Sequence, residues 1–298
     1  MTIRTAVIAV AGFGTRFLPA TKALPKEMIP ILDRPAVQYL VEEAAASGIR
    51  DVILVTRPDA GVFAEHFQPS PRLESHLAEQ GKVEYLRIVQ AVAALANFKI
   101  IAQPPRLPYG NGSPLLAAAE HLPADEPFVF MFGDDLVLSK TPCVRQLVRT
   151  FGQHQPAAVV AVQEVPREQT KNYGIVKLRD GSGPPQMESI VEKPKVEEAP
   201  SNLAQFGRFI FTPRIIELLQ ARLREGRLGK DGELYLADAI ADLCGEGQVL
   251  VQRIEGTWHT TGDPLTFLQT SIAFALAHPQ YGGPFREFLR GLELEAAE

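Results

Sequence analysis

A glycine-rich loop that carries cations follows the first apolar run of the sequence. The run Thr5–Val10 leads directly into Ala11-Gly12-Phe13-Gly14-Thr15-Arg16, and Lys22 and Lys26 come shortly afterwards. Glycines let backbone N–H groups approach a phosphate closely, and Arg and Lys side chains offset the charge of a triphosphate. The loop therefore predicts a phosphate-binding site. A tight turn with solvated charges is the plainer alternative.

Two well-known phosphate loops do not match this segment. A dinucleotide-binding fingerprint requires a third glycine at the position of Phe17, and a P-loop requires a Gly-Lys-Ser/Thr sequence that the segment lacks. The segment must therefore bind phosphate in another way, if it binds phosphate at all.

Polar side chains also follow other apolar runs. Asp134 and Asp135 close the run Phe128–Phe132, and carboxylates at a strand end can hold Mg²⁺ against a triphosphate. Gln103 follows Lys99–Ala102 and offers an amide that could pair with a pyrimidine edge. Each has a simpler interpretation, because an aspartate often caps a helix or forms a turn and a glutamine is usually an ordinary loop residue.

The elements that must position these residues alternate between strands and helices. Short β-branched runs recur at Thr5–Val10, Asp51–Thr56, Lys99–Ala102, Phe128–Phe132 and Ala157–Val162, with helical patterns such as Ala36–Ser47 and Pro142–Gly152 between them. This order predicts an α/β fold with a Rossmann-like mixed, mainly parallel sheet and helices on both faces. Ligands of such sheets bind beyond the carboxyl ends of the strands, which is where the polar residues stand.

The second half of the chain has a different pattern. Tyr173–Leu178, Gln186–Val191 and Phe206–Phe211 predict hairpin-like strands, a β-rich excursion from the sheet that faces the substrate. Helical patterns then cover Pro213–Glu225, Glu233–Cys244 and Pro264–Ala277, with one more strand at Val249–Ile254. The segment Gln68–Asn97 is a polar, helix-prone insertion.

Composition excludes several classes of protein. The 298 residues carry 30 basic and 35 acidic side chains without a long basic tract, so polymeric nucleic acid is not an expected partner. Two cysteines are too few for a disulfide framework or a thiolate zinc site. With no export-type segment before Thr5 and no apolar run of about 18 residues, we expect neither a membrane partner nor export, and therefore a cytoplasmic location.

The loop resembles the signature of nucleotidyltransferases that act on sugar 1-phosphates, G-x-G-T-R-x-x-P-x-T-K-x-x-P-K. Gly12 to Lys26 satisfies every specified position. The resemblance covers nearly the whole chain and is closest to the bacterial UTP:glucose-1-phosphate uridylyltransferases. It implies the nucleotide-diphospho-sugar transferase fold in one domain, 1–298, with a nucleotide-binding half (1–165) and a second half (166–298) that contains the sugar-binding part and the C-terminal helices.

The resemblance also implies a reaction and a set of site residues. UTP and glucose 1-phosphate would give UDP-glucose and pyrophosphate with Mg²⁺ as cofactor, by in-line attack of the sugar phosphate on the α-phosphorus. The implied catalytic residues are Arg16, Lys26 and Asp134, of which Asp134 would bind the metal. The implied nucleotide-binding residues are Ala11, Gly12, Gly14, Thr15, Gln103, Gly110 and Gly112, and the sugar-binding residues are Gly174, Glu192 and Lys193. An exposed ion pair is the plainer interpretation of Glu192 and Lys193. A homo-oligomer is implied as well.

The chain departs from the family pattern at two places. Thr260 stands where relatives commonly carry a second metal-binding aspartate, and its hydroxyl can bind Mg²⁺ without bringing a negative charge. Ser113 and Pro114 replace the His-Ala that usually follows the second glycine loop. Three functions therefore stay open. The chain is a working uridylyltransferase, or a weakened paralogue that binds nucleotide or nucleotide sugar and regulates a partner enzyme, or a nucleotidyltransferase for another base or sugar. Asp263, which precedes Pro264, is expected to cap a helix.

Overall fold

A mixed β-sheet forms the centre of the molecule. The structure is a computed structural model that describes residues 3–229 and 231–292. The strands are β1 (Thr5–Val10), β2 (Pro30–Ile31), β3 (Arg34–Pro35), β4 (Asp51–Thr56), β5 (Asn97–Ala102), β6 (Phe128–Phe132), β7 (Asp135–Leu138), β8 (Ala158–Glu164), β9 (Gly174–Leu178), β10 (Met187–Glu192), β11 (Leu203–Phe211), β12 (Val249–Arg253) and β13 (Thr257–Thr260). The helices are α1 (Ala36–Ala46), α2 (Val62–Phe67), α3 (Pro71–Glu79), α4 (Val83–Ala93), α5 (Ser113–Ala118), α6 (Cys143–His154), α7 (Arg214–Arg224), α8 (Leu236–Glu246), α9 (Pro264–Ala277) and α10 (Gly282–Arg290).

The first half of the sheet is parallel, and its strands β1, β4 and β6 are buried on both faces. Strands β6, β1, β4 and β5 lie side by side, and β1 pairs in parallel with both β4 and β6. Alternate residues of β1 enter two separate cores: Ala6 and Ile8 pack with α1 and α6, whereas Val7 packs with α5, α7 and α8. Helices therefore cover both faces, as expected for strands that are apolar at nearly every position.

The second half of the sheet is organised around β11. This strand runs antiparallel to β6, β8 and β9, while β10 pairs with β9 and β12 with β8. All residues of β11 are buried. Strands from both halves of the chain thus share one sheet, and the predicted α/β fold with a mixed sheet is confirmed.

Most predicted elements coincide with observed ones, and two differences matter for the site. Strand β11 begins at Leu203 rather than Phe206, because the strand continues through the polar Gln205. Strands β7 and β13, which the sequence analysis did not predict, form a separate antiparallel ribbon that pairs Thr260 with Asp135. The insertion Gln68–Asn97 forms α3 and α4, and among the described residues no helix is long and apolar enough to span a membrane.

Candidate active site

A cavity of about 460 Å³ opens at the carboxyl ends of β1, β5 and β6. It brings together residues from distant parts of the chain, as expected for a parallel sheet. The predicted residues on its wall are Ala11, Gly12, Gly14, Thr15, Arg16, Lys26, Gln103, Gly110, Asp134, Gly174, Glu192, Lys193 and Thr260. Gly112 is not among the lining residues, because it packs behind the wall against Leu219 and Leu234.

The glycine-rich loop is fixed by its own residues. Gly14 has a φ of +63°, a conformation that side chains disfavour, and a Cβ there would lie 3.0 Å from Cγ2 of Thr21. The buried Thr21 hydroxyl donates a hydrogen bond of 2.8 Å to the Gly14 carbonyl oxygen. A guanidinium nitrogen of Arg16 lies 3.3 Å from the carbonyl oxygen of Gly262. These contacts fix the conformation of the loop and hold the Arg16 side chain against Gly262.

Lys26 and Asp134 form an ion pair on the wall of the cavity. The Lys26 Nζ lies 2.6 Å from Oδ2 of Asp134, whose side chain is 31% exposed and therefore accessible to a ligand. Burial opposes ionisation of Asp134, but the Lys26 ammonium outweighs it and lowers the pKa of the carboxyl. Gly133 lets the backbone before Asp134 pack closely on β1, because a Cβ there would lie 2.7 Å from the Ala9 carbonyl oxygen. The site thus places one anion and one cation side by side.

Asp135 is a buried anchor rather than an open ligand. Its carboxylate accepts hydrogen bonds from the Gly207 N–H at 2.8 Å and from the Trp258 indole N–H at 2.6 Å. Burial and the neighbouring Asp134 raise the pKa of Asp135 to about 7. The fully buried Arg208 donates to the Asp135 carbonyl oxygen at 2.7 Å and pairs with Glu43. This network fixes the turn on which Asp134 stands.

Thr260 and Asp134 both lie close to Gly262. A Cβ placed on Gly262 would lie 3.3 Å from Oγ1 of Thr260 and 3.6 Å from Oδ2 of Asp134, and the Gly262 N–H lies 3.2 Å from the Thr260 hydroxyl oxygen. Asp263 caps α9 as predicted and accepts from the N–H groups of Leu265 and Thr266. Its carboxylate is therefore committed to the helix and does not replace the missing aspartate.

The donor set suits a metal that is shared with a ligand. In the described part of the chain, no three His, Cys, Asp or Glu side chains meet as a metal cluster. Mg²⁺, however, is commonly held by one or two carboxylates together with water and substrate phosphates. The Asp134 carboxylate and the Thr260 hydroxyl fit this partial role.

Another part of the cavity wall contains Gln103 and Gly110 of the second glycine loop. The Gln103 Oε1 is buried, and none of the described residues offers it a hydrogen-bond partner. Gly110 has a φ of +130°, and a Cβ there would lie 2.5 Å from the Leu234 carbonyl oxygen. Asn111 accepts from the Leu236 N–H at 2.8 Å, and Ser113 donates to the Pro108 carbonyl oxygen at 2.6 Å. The substituted Ser113 therefore supports the loop from within.

The cavity wall also contains the predicted sugar-binding residues Gly174, Glu192 and Lys193. Glu192 pairs across the sheet with Gly174, and burial raises the pKa of its carboxyl. Its Oε2 is buried without a hydrogen-bond partner among the described residues. Lys193 adopts a φ of +45°, and its Nζ lies 3.9 Å from Oε1 of Glu192 and 5.7 Å from the centre of the Tyr235 ring. The pair therefore faces the cavity.

Several lining residues escaped the sequence analysis, among them Glu27 and Gln205. Glu27 and Gln205 both have a buried oxygen without a hydrogen-bond partner in the described part of the chain. For Gln205 a signal was present, since a polar residue interrupts an otherwise apolar strand. For Glu27 the only hint was its place next to Lys26.

Comparisons with known proteins identify the family. The nucleotidyl transferase family profile matches residues 5–275. The UTP–glucose-1-phosphate uridylyltransferase of Bacillus subtilis strain 168 is 40% identical over 291 residues, which cover 97% of each chain. The chain therefore belongs to the nucleotidyl transferase family and, within it, to the bacterial UTP–glucose-1-phosphate uridylyltransferases.

Solved structures agree with this assignment. A UTP-bound enzyme of this type from Acinetobacter baumannii has a TM-score of 0.87 and 31% identity, and the match covers 98% of this chain and all of that one. A UDP-glucose pyrophosphorylase in complex with UDP-glucose has a TM-score of 0.81 and 29% identity, and the match covers 93% and 100% of the two chains.

Proposed function

We propose that the protein transfers a uridylyl group from UTP to glucose 1-phosphate, giving UDP-glucose and pyrophosphate. The observation that carries this proposal is the cavity whose lining combines the glycine-rich loop and Lys26 with Gly174, Glu192 and Lys193. The relatives named for this reaction, and the related structures with UTP or UDP-glucose, support the same assignment.

The loop binds the triphosphate. Backbone N–H groups around Gly12 and Gly14 approach its oxygens, while Arg16 offsets charge on the departing pyrophosphate. Lys26 stands next to Asp134, where it offsets charge that builds up on the α-phosphate. The amide oxygen of Gln103, which has no hydrogen-bond partner among the described residues, can accept from the N–H of uracil, while its amide N–H₂ can donate to a uracil carbonyl.

The second half binds the acceptor. Glu192 accepts hydrogen bonds from sugar hydroxyls, and Lys193 attracts the attacking phosphate. Asp134, with the Thr260 hydroxyl, would hold Mg²⁺, which when bound neutralises phosphate charge. The remaining task of the protein is to align attacking and leaving oxygens, which needs no covalent intermediate.

Pyrophosphate release from UTP, glucose 1-phosphate and Mg²⁺ tests this function. We expect turnover by the native protein and, in Asp134→Asn, a loss of about a thousandfold or more, since a metal-holding carboxylate supplies several kcal/mol. Asp33→Asn is the matched control, because Asp33 is exposed and pairs only with Arg34 in the described chain. Equal rates in both variants would contradict the role of Asp134.

Substitution of the nucleotide or the sugar phosphate separates the alternatives. Faster turnover with dTTP or with another hexose 1-phosphate would indicate a different substrate pair. Absence of turnover with every pair, combined with tight binding of UDP-glucose, would identify a regulatory paralogue. The uncharged Thr260 is the feature that favours this last possibility.

We also propose that the protein acts in the cytoplasm as a homo-oligomer. Both cysteines are free thiols, which suits a reducing compartment. Exposed apolar side chains on α4 and α10, among them Ile88 and Phe288, supply surfaces for self-association. Light scattering coupled to size exclusion would show a mass above 32.7 kDa if the chain self-associates.

A further inference from the structure

Three residues on adjacent strands form a row across the sheet. Glu192 on β10 lies opposite Gly174 on β9, and Ala204 on β11 lies opposite Ile175. Continuing the same antiparallel register places Gln205 opposite Gly174. Directly opposed residues of antiparallel strands point to the same face, so Gln205 and Glu192 flank a glycine floor on one face of the sheet.

Both flanking side chains lean over that floor. A Cβ on Gly174 would lie 2.9 Å from Cγ of Gln205, 3.1 Å from its Nε2 and 3.1 Å from Oε2 of Glu192. The space above the floor therefore exists because residue 174 is a glycine. All three residues line the cavity described above.

Within the described part of the chain, each flanking side chain carries a buried oxygen without a hydrogen-bond partner. Gln205 is 5% exposed, and neither its Oε1 nor the Oε2 of Glu192 has a hydrogen-bond partner among the described residues. An unpaired buried polar atom is unfavourable, because no hydrogen bond compensates for the loss of its contact with water. If the two ends of the amide were exchanged, a buried amide group would still be left unpaired. A ligand that donates hydrogen bonds on both sides of the glycine would remove this cost.

The network around Asp135 fixes the backbone next to Gln205. The pairing of β11 with β8 shifts register between Gln205 and Phe209. Within this irregularity the Gly207 N–H donates to the Asp135 carboxylate at 2.8 Å, and Phe206 stacks on Trp258 with 5.0 Å between ring centres. The amide of Gln205 is thus presented by a rigid element.

We propose that Gln205 is a specificity-determining residue that accepts a hydrogen bond from a hydroxyl of the hexose 1-phosphate, on the opposite side of Gly174 from Glu192. The inference rests on the proposed function, because it assigns a further contact in the same acceptor site. Two acceptors across a glycine floor select a ring with hydroxyl donors on both edges. A sugar that lacks the matching hydroxyl leaves the Gln205 oxygen unpaired.

The test compares glucose 1-phosphate with its 2-, 3-, 4- and 6-deoxy analogues in native protein and Gln205→Leu. In native protein we expect one analogue other than those read by Glu192 to lose about 10–100-fold in kcat/KM, as an unpaired buried group implies. In Gln205→Leu, the kcat/KM for glucose 1-phosphate falls by a similar factor, while the kcat/KM for that analogue stays at its value in native protein. The KM for UTP stays unchanged in both proteins.

Gln146→Leu is the matched control. Gln146 is equally buried, but its amide is satisfied by the Thr141 and Glu255 carbonyl oxygens and by the Glu255 N–H, outside the cavity. Its replacement lowers stability and leaves the discrimination between sugars intact. Gln205→Met, which keeps an unbranched side chain, repeats the comparison if Gln205→Leu does not fold.

Two results would overturn the proposal. Equal losses for all five sugars in the Gln205 variants would indicate a structural role, and no loss for any sugar would indicate that water occupies the site. If the native protein does not turn over glucose 1-phosphate, the proposed function fails on its own. The affinities of UDP-glucose and its deoxy analogues, measured by calorimetry, then test Gln205 by the same pattern of losses.

Discussion

Glu27 carries a buried carboxyl whose ionisation opposes folding. The side chain is 3% exposed, Lys26 Nζ lies 3.9 Å from its Oε1, and its Oε2 has no hydrogen-bond partner in the described chain. Burial raises the pKa of Glu27 to about 7 from an ordinary value of 4.5. We therefore expect Glu27→Gln, which removes the charge and keeps the shape, to stabilise the ligand-free protein at alkaline pH.

The size and sign of the effect follow from proton linkage. With a raised pKa, the folded state binds the Glu27 proton more tightly than the unfolded chain. The free energy of unfolding therefore falls as pH rises from about 4.5 to about 7. A pKa raised from 4.5 to about 7 corresponds to a loss of about 3 kcal/mol in the free energy of unfolding once Glu27 is fully ionised. The difference in free energy of unfolding between Glu27→Gln and native protein should therefore increase as pH rises from about 4.5 to about 7, and stay constant above pH 7.

Urea unfolding of both proteins between pH 5 and 8.5, without nucleotide, measures this difference. Glu120→Gln removes a carboxylate that is 82% exposed and should leave the pH dependence of stability unchanged. If the difference between Glu27→Gln and native protein is the same at every pH, the Glu27 carboxyl is not perturbed by burial and the reasoning is wrong.

Two further predictions concern the cation at Asp134. Lys26→Met removes the ammonium 2.6 Å from Asp134, so the nucleotide-free variant should bind Mn²⁺ at least about tenfold more tightly in a spin-resonance titration. This gain in binding free energy is far smaller than the ~4 kcal/mol by which two unit charges 4 Å apart interact at an effective dielectric constant of 20. Unchanged affinity would show that Lys26 does not compete with the metal. Thr260→Asp adds a carboxylate beside Asp134 and should lower the half-saturating Mg²⁺ concentration roughly tenfold, both in calorimetry with UTP and in turnover. No change in either measurement would show that position 260 does not reach the metal.

The strand ends could be predicted from the sequence, and with them the location of the site. Runs such as Thr5–Val10 and Phe128–Phe132 are apolar at nearly every position and are followed within two residues by a glycine, so their observed limits match the prediction. Parallel strands place their carboxyl ends at one edge of the sheet, which is why Gly12 and Asp134 meet.

The ribbon of β7 and β13 could not be predicted in the same way. Each strand has four residues, β13 is only partly buried, and the partners Asp135 and Thr260 are far apart in sequence. Such short mixed segments carry no clear period. The family pattern singled out Thr260, but only the fold shows that it lies across from Asp135.

Gln205 and Glu27 show a second limit of sequence interpretation. A buried oxygen without a partner is a property of three-dimensional surroundings, and the residue type alone does not reveal it. In the sequence, Gln205 is only a polar residue within an apolar run, and its place in the cavity becomes evident when its register with Gly174 is known.

A crystal structure with UDP-glucose and Mg²⁺ tests the central claim most directly. The account predicts uracil at Gln103, the pyrophosphate bridge between the glycine-rich loop and Asp134, and glucose between Glu192 and Gln205 above Gly174. UDP-glucose bound in the reverse orientation, or outside this cavity, would contradict it.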